Sequence, residues 1–146
     1  MIRRIKLNLE KTFKIDIGCK NNTKEGYIGI DIKDFGQAII WNVTQGLPFP
    51  DSSVENIYCS HFLEHIRIED IQDFIIEIYR ICKSGAEIEI RVPHSDTIES
   101  YYSCHLSLWN ENRIKGILKG LQHTYKFEIK EMKRVGIELQ VILIKC

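Results

Sequence analysis

Short apolar runs alternate with polar, turn-forming segments along most of the chain, and each run has the length of a β-strand. The run Phe13-Lys14-Ile15-Asp16-Ile17, for example, ends at Gly18, and a run over 86–92 ends at Pro93. Gly and Pro commonly terminate strands. Read this way, the pattern predicts seven strands, at 13–17, 27–32, 38–41, 54–59, 86–92, 125–132 and 138–144.

One segment has helical periodicity. Its apolar stripe falls at the spacing of a single helix face and consists of Ile71, Phe74, Ile75, Ile78 and Cys82. Glu69 and Asp70 fall in the first turn, where carboxylates favour the helix dipole, and Lys83 and Gly85 fit a C-terminal stop. A second helix is predicted over 108–118.

Strands that alternate with crossovers predict a largely parallel α/β sheet with helices on both faces. The last two strands follow one another directly, so one strand should be antiparallel. Only residues 19–26 separate the first two strands, whereas a parallel crossover normally needs about a dozen residues or more. The first crossover helix is therefore expected to be truncated, within a single domain spanning residues 1–146.

Composition narrows the classes of function. Lysine plus arginine equals aspartate plus glutamate at 20 each, and this neutral balance disfavours a nucleic-acid partner. The five cysteines form no CxxC pair, which favours reduced thiols and a cytoplasmic protein. The chain begins without an apolar leader, and no apolar run is long enough for membrane insertion. The oligomeric state is left open.

Two residues that can form a ligand site follow or end the first two strands. Gly18, after Asp16 and Ile17, allows a sharp turn and a close approach of a ligand to the backbone. Asp31, at the end of the second strand, can accept hydrogen bonds from both hydroxyl groups of a ribose. Ligands of open parallel sheets bind at the carboxyl ends of strands, where both residues are expected.

Several motifs, in order, resemble class I S-adenosylmethionine-dependent methyltransferases, and most closely their small type 11-like branch. They are Ile28-Gly29-Ile30-Asp31, Leu47-Pro48-Phe49-Pro50-Asp51-Ser52-Ser53, Ser60-His61-Phe62-Leu63-Glu64-His65, Lys83-Ser84-Gly85-Ala86 and Arg91-Val92-Pro93. The resemblance implies a Rossmann-like fold, S-adenosylmethionine as cofactor and methyl transfer as the reaction. It departs from the family at Lys20, where the family's loop has a second glycine.

The resemblance also implies roles for individual residues. Asp16, Gly18 and Cys19 would lie along the methionine part of the cofactor, and Asp31, with its neighbour Ile32, along the ribose. Asn42 would meet the adenine amine and Leu47 would line the adenine pocket. Ser60 and His61 would lie beside the sulfonium, and His61 and His94 are the candidate general bases. By analogy, the acceptor is a small molecule, such as a sugar or a lipid-linked intermediate.

Three alternative functions compete with this interpretation. A non-catalytic binding module is favoured by the altered Gly18-Cys19-Lys20 loop. A zinc hydrolase is suggested by the HxxEH spacing of His61, Glu64 and His65, but it requires a third ligand on a further helix, so no metal is expected. An NAD-dependent oxidoreductase is disfavoured because no GxGxxG follows the first strand.

Overall fold

The computed structural model describes residues 11–146, which form one seven-stranded sheet in the order β3-β2-β1-β4-β5-β7-β6. Strand β7 is antiparallel to both of its neighbours, and all other paired strands are parallel. This confirms the predicted sheet. The strands are β1 (Phe13–Ile17), β2 (Ile28–Asp31), β3 (Ile39–Ile40), β4 (Val54–Ser60), β5 (Cys82–Pro93), β6 (Phe127–Val135) and β7 (Glu138–Lys145).

Two α-helices follow the sheet strands, α1 (Ile68–Ile81) between β4 and β5 and α2 (Glu111–Leu121) between β5 and β6. Both crossovers advance in the same direction across the sheet, so the right-handed rule puts both helices on the same face. A groove between them is lined by both helices. No α-helix of residues 11–146 is long and apolar enough to cross a bilayer.

The other face differs from the expectation of helices on both sides. As predicted, the β1–β2 crossover has no helix, and the β2–β3 crossover is also too short to contain one. These are the two crossovers that run in the opposite direction across the sheet, and their helices would cover the second face. Within residues 11–146, both α-helices therefore lie on one face.

The strand register shows the same asymmetry between the faces. Ile15, Ile57 and Ile88 are cross-strand neighbours on β1, β4 and β5, and all three are buried on the helix side. One residue further along, Tyr58 and Glu89 are neighbours on the opposite face and are only half-buried. Fully burying an isoleucine contributes about 1.5–3 kcal/mol, so the isoleucine face holds the sheet to the helices.

Helix α1 ends earlier than its sequence suggests. Its buried stripe includes Ile81, but Cys82 already belongs to β5, where it pairs with Val54. The N–H groups of Ser52 and Ser53 donate to the carbonyls of Arg80 and Ile81, at 2.9 and 2.8 Å, and satisfy the end of the helix. Gly85, predicted as the helical stop, instead lies within β5 with a φ of +82°.

Arg80 fastens the Leu47–Ser53 turn to α1. Its guanidinium donates to the carbonyls of Leu47 and Phe49, at 3.0 and 2.9 Å, and to the carboxylates of Asp51 and Glu77. Glu77 in turn accepts from the backbone N–H of Leu47 at 2.6 Å. The Arg80 guanidinium holds the pKa of Glu77 below its usual range. The turn motif therefore has a structural role at the entrance to β4.

The substitution Arg80→Met should lower the free energy of unfolding by about 2 kcal/mol, because it leaves several acceptors without their charged donor while keeping most of the alkyl packing. Urea unfolding followed by circular dichroism measures this. Lys115→Met, at an exposed position of α2, is the matched control and should change stability by less than about 0.5 kcal/mol. Equal stability of the two variants would contradict the role assigned to Arg80.

Candidate active site

The carboxyl ends of β1, β2 and β4 meet where the chain reverses its direction of travel across the sheet. From β1 the chain proceeds to β2 and β3, and it then returns to the other side of β1 as β4. Ligand sites of open α/β sheets lie at such a switch point. Here the strand ends bring Gly18, Asp31 and Ser60 to one edge, as the sequence predicted.

Two cavities open at this edge and share Gly18. The first, called the Asp31 cavity, has a volume of about 180 Å³ and is lined by Gly18, Ile30, Asp31, Ile32, Trp41, Asn42, Val43, Thr44, Phe62, His65 and Ile66. The second, called the Asp16 cavity, has a volume of about 240 Å³ and is lined by Asp16, Gly18, Cys19, Lys20, Asn21, Asn22, Tyr58, Ser60 and His61. Together they form a groove with Gly18 at its junction.

Gly18 is required at this junction for two reasons. Its φ is +73°, a left-handed conformation that disfavours residues with a side chain. A Cβ at this position would also lie 2.5 Å from Cδ2 of the Phe62 ring. The Gly18 N–H donates to the Ile30 carbonyl at 2.8 Å, which holds the turn against the end of β2. The backbone conformation and the packing of Phe62 therefore both exclude a side chain at this junction.

Asp31 is held in place by the backbone on both sides of it. Its Oδ2 accepts from the N–H of Lys20 at 3.0 Å, and its Oδ1 accepts from the N–H of Lys33 at 3.2 Å. The carboxylate remains partly exposed and lines the cavity, so each oxygen retains capacity for a further hydrogen bond. Lys20 is exposed, with a φ of +50°, and its contribution to this carboxylate is its backbone N–H.

Asp16 is a buried carboxylate at the opposite end of the groove. Its Oδ2 accepts from the N–H of Lys24 at 2.8 Å, and burial raises the pKa of the group. The Lys24 ammonium lies 4.4 Å from the centroid of the Tyr58 ring and 3.5 Å from a carboxylate oxygen of Glu89. Cys19 is buried beside Asp16, and burial raises the pKa of its thiol.

Of the residues predicted to lie near the nucleoside part of the cofactor, Ile32 and Asn42 line the Asp31 cavity and Leu47 does not. Ile32 is 60% exposed and lines the Asp31 cavity beside Trp41. Asn42 also lines it, but its Oδ1 accepts from the N–H of Thr44 at 3.1 Å and caps the 3₁₀ helix Val43–Gln45. Leu47 is not among the lining residues, because its backbone is bound to Glu77 and Arg80 and its side chain lies in the core.

His61 lies between two carboxylates at the carboxyl end of β4. Its Nδ1 lies 3.5 Å from Oε1 of the buried Glu64, and its Nε2 lies 2.6 Å from Oε1 of Glu138. Glu64 and Glu138 raise the pKa of His61 to about 9, against the opposing effect of burial. His61 is therefore an imidazolium at neutral pH, with both N–H groups directed at carboxylates, and this does not support the prediction that it is a general base.

His94 lines neither cavity. Its Nδ1 lies 3.0 Å from a carboxylate oxygen of Asp96, and its Nε2 lies 2.9 Å from one of Glu111. Its backbone forms an isolated bridge with Trp109. These contacts connect the end of β5 to the first turn of α2, which is a structural role, and the catalytic role of His94 stays a prediction.

Sequence reasoning missed the contributions of Phe62, Trp41 and Glu138. The first two line the Asp31 cavity, and Phe62 lies inside the Ser60–His65 motif, so the motif itself was a signal for it. Glu138, the first residue of β7, contacts His61 although the two are 77 residues apart in the chain. No local pattern could have found that contact.

A family model described as a methyltransferase domain matches residues 16–90, just over half of the chain. The match contains the end of β1, all of β2, β3, β4 and α1, and most of β5, and therefore all the strand ends that form the groove. A search of curated proteins found no match.

Solved structures share the fold at low sequence identity. A S-adenosylmethionine-dependent methyltransferase from Archaeoglobus fulgidus is 19% identical with a TM-score of 0.71, over 94% of this chain and 87% of that one. One from Aquifex aeolicus is 16% identical with a TM-score of 0.66, over 95% and 85% of the two chains. One from Mesorhizobium loti is 11% identical with a TM-score of 0.65, over 90% of each.

The family match, the strand order and the groove at the switch point agree with one another. They do not favour the alternative of a non-catalytic binding module. The chain belongs to the methyltransferase-domain family and is a class I S-adenosylmethionine-dependent methyltransferase.

Proposed function

We propose that this protein transfers a methyl group from S-adenosylmethionine to a small-molecule acceptor, with the adenosine part in the Asp31 cavity and the methionine part in the Asp16 cavity. One observation carries the proposal: the two cavities meet at Gly18, where a Cβ would collide with Phe62. An elongated ligand with two chemically different ends suits this groove.

The Asp31 cavity has the chemistry of a nucleoside site. Asp31 offers carboxylate oxygens to the two ribose hydroxyl groups, and a charge-assisted hydrogen bond is stronger than a neutral one. Ile32 and Trp41 supply apolar and aromatic surface for a flat base. Because Asn42 uses its Oδ1 as a cap, its amide N–H groups are the part of the side chain left to contact the base.

The Asp16 cavity suits an amino-acid end that carries a sulfonium. Asp16 is an anionic partner for an ammonium group, and Ser60 supplies a hydroxyl at the end of β4. The imidazolium of His61 is offset by Glu64 and Glu138, so a sulfonium there does not face an uncompensated cation.

Bound S-adenosylmethionine would supply the electrophilic methyl group together with a neutral thioether as the leaving group. The protein's part is then to align the acceptor behind the methyl carbon, and such positioning can contribute several kcal/mol. Neither His61 nor His94 is placed to accept a proton, because carboxylates engage the ring nitrogens of both. The proposed transfer therefore depends on alignment and on the acceptor's own nucleophilicity.

A third cavity, of about 460 Å³, supports a small acceptor. It lies under the segment after β5 and is lined by Ile68, Ser100, Tyr101, Tyr102, Ser103, His105, Leu106, Ser107, Leu108 and Arg113. Tyr101 and Tyr102 are exposed and can stack on a sugar ring or cover a lipid chain, while Arg113 can bind an anionic group. The Leu106 N–H donates to the Glu64 carbonyl at 2.6 Å, which connects this segment to the cofactor groove.

The first test is Asp31→Asn, with titration calorimetry of S-adenosylmethionine and of its demethylated product. The dissociation constant of both ligands should rise roughly tenfold to a hundredfold, because the ribose they share loses a charged hydrogen-bond acceptor. Asp34→Asn, three residues away on the exposed loop, is the control and should bind like the wild type. An unchanged affinity in Asp31→Asn would contradict the orientation proposed here.

The second test compares Gly18→Ala with Gly26→Ala. Both glycines have a positive φ, +73° and +79°, but a Cβ at Gly26 meets nothing within 4 Å. In both variants the positive φ should strain the backbone by roughly 1 kcal/mol. Only Gly18→Ala must also displace the Phe62 ring, which lines the Asp31 cavity. Calorimetry should show at least about a tenfold loss of S-adenosylmethionine affinity in Gly18→Ala alone. Equal affinities in the two variants would exclude a close approach at Gly18.

The third test follows the titration of His61 by two-dimensional NMR of the imidazole nitrogens. His61 should titrate near pH 9, and Glu138→Gln should lower its pKa because one of the two carboxylates is lost. Since the folded-state pKa is raised from 6.5, the ion pairs of His61 stabilise the fold fully below about pH 6.5 and are lost as the pH rises through about 9. A transition near pH 6.5 would restore His61 as a candidate base.

A further inference from the structure

Two histidines and a cysteine converge between the cofactor groove and the third cavity. His65 ends the 3₁₀ helix Leu63–His65, whereas Cys104 and His105 lie in the segment between β5 and α2. One ligand atom from each of the three residues lies within 4.8 Å of the others. Imidazole nitrogen and thiolate sulfur are the donors preferred by zinc and similar borderline-soft ions.

We propose that His65, Cys104 and His105 bind one zinc-class transition-metal ion. The proposal goes beyond the proposed methyl transfer and is independent of it. It differs from the sequence-based expectation of no metal, and its ligands are not those of the HxxEH interpretation, because His61 is held by Glu64 and Glu138 and only His65 is shared.

The orientation of His65 favours a ligand role. Its Nδ1 lies 3.1 Å from the Cys104 carbonyl oxygen, which can only accept, so Nδ1 donates this hydrogen bond and Nε2 is the nitrogen left with a lone pair. Metal-binding histidines commonly donate the N–H that does not bind metal to a carboxylate or a backbone carbonyl. A metal on Nε2, which lies 3.9 Å from Oε1 of Glu64, would leave the Nδ1–H bonded to the Cys104 carbonyl.

A buried polar group gives independent support. Within residues 11–146, Nδ1 of His105 is buried and has no hydrogen-bond partner. Buried polar groups normally have partners, and a bound metal ion would provide one for this ring.

The mutual arrangement of the rings agrees with a shared ion. The ring centroids of His65 and His105 lie 4.9 Å apart at an interplanar angle of 82°. Two imidazoles on one tetrahedral ion, with metal–nitrogen bonds of about 2.1 Å, have ring centroids roughly 5 Å apart. The rings therefore need little movement to bind a common metal.

The chemistry of binding and its consequence follow from these positions. On binding, the Cys104 thiol releases its proton to solvent and binds as thiolate, and because Cys104 is exposed, water can take the fourth position. The ion would fasten the segment that carries Tyr101 and Tyr102 to the turn that lines the Asp31 cavity. The site would thus join the proposed acceptor cavity to the cofactor groove.

Titration of the purified, reduced full-length chain with Co²⁺, followed by competition with Zn²⁺, tests the proposal. One Co²⁺ per chain should bind with a dissociation constant of about 1 μM or lower, with a thiolate-to-cobalt charge-transfer band in the near ultraviolet that Zn²⁺ abolishes. Cys104→Ser should remove the band, and His105→Ala should weaken binding at least about tenfold.

Cys146→Ser and His123→Ala, at an exposed cysteine and an exposed histidine outside the cluster, are the matched controls and should bind Co²⁺ like the wild type. Far-ultraviolet circular dichroism of each variant verifies that it is folded. Absence of the band in the wild type, its survival in Cys104→Ser, or its loss in Cys146→Ser would each overturn the assignment. Methyl transfer is not needed for any of these measurements, so the result is separable from that of the proposed function.

Discussion

The register of the three central parallel strands is the constraint on which the site depends. Burial of Ile15, Ile57 and Ile88 as neighbours on one face sets how β1, β4 and β5 align, because a shift by one residue would turn the polar face toward the core. With that alignment the carboxyl ends of β1 and β4 fall level. Gly18 and Ser60 then lie on either side of one groove, and β2 adds Asp31 from the next position in the sheet.

Carboxylates organise most of the polar contacts around this edge, but in two different ways. Asp16 and Asp31 accept from backbone N–H groups of the β1–β2 crossover and keep surface toward the groove. Glu64, Glu138, Asp96 and Glu111 instead engage histidine side chains. The first pair is therefore available to a ligand, whereas the histidines that looked most reactive are engaged in holding the ends of β4 and β5.

The single helical layer has a consequence for the molecule's surfaces. Both α-helices cover the isoleucine face, and the opposite face carries Tyr58, Glu89 and Arg91, which satisfy one another and Lys24 by ion pairs and cation–π contacts. Because these polar contacts are made within the face, β1, β4 and β5 remain paired there without an α-helix from residues 11–146 above them. The short β1–β2 crossover, residues 18–27, is a loop, and part of this loop lines the Asp16 cavity.

The sequence by itself determined the seven strands along the chain, the one antiparallel strand, the truncated first crossover and the positions of Gly18 and Asp31 after their strands. These follow from local periodicity, turn chemistry and crossover length, which depend only on residues near one another in the chain. Only the tertiary structure decided that Leu47 lies in the core, that His61 is charged, and that His65 meets Cys104 and His105. Each of these depends on contacts between residues about 30 to 77 positions apart, and such contacts exist only after the strands have paired and the loops have closed over their ends.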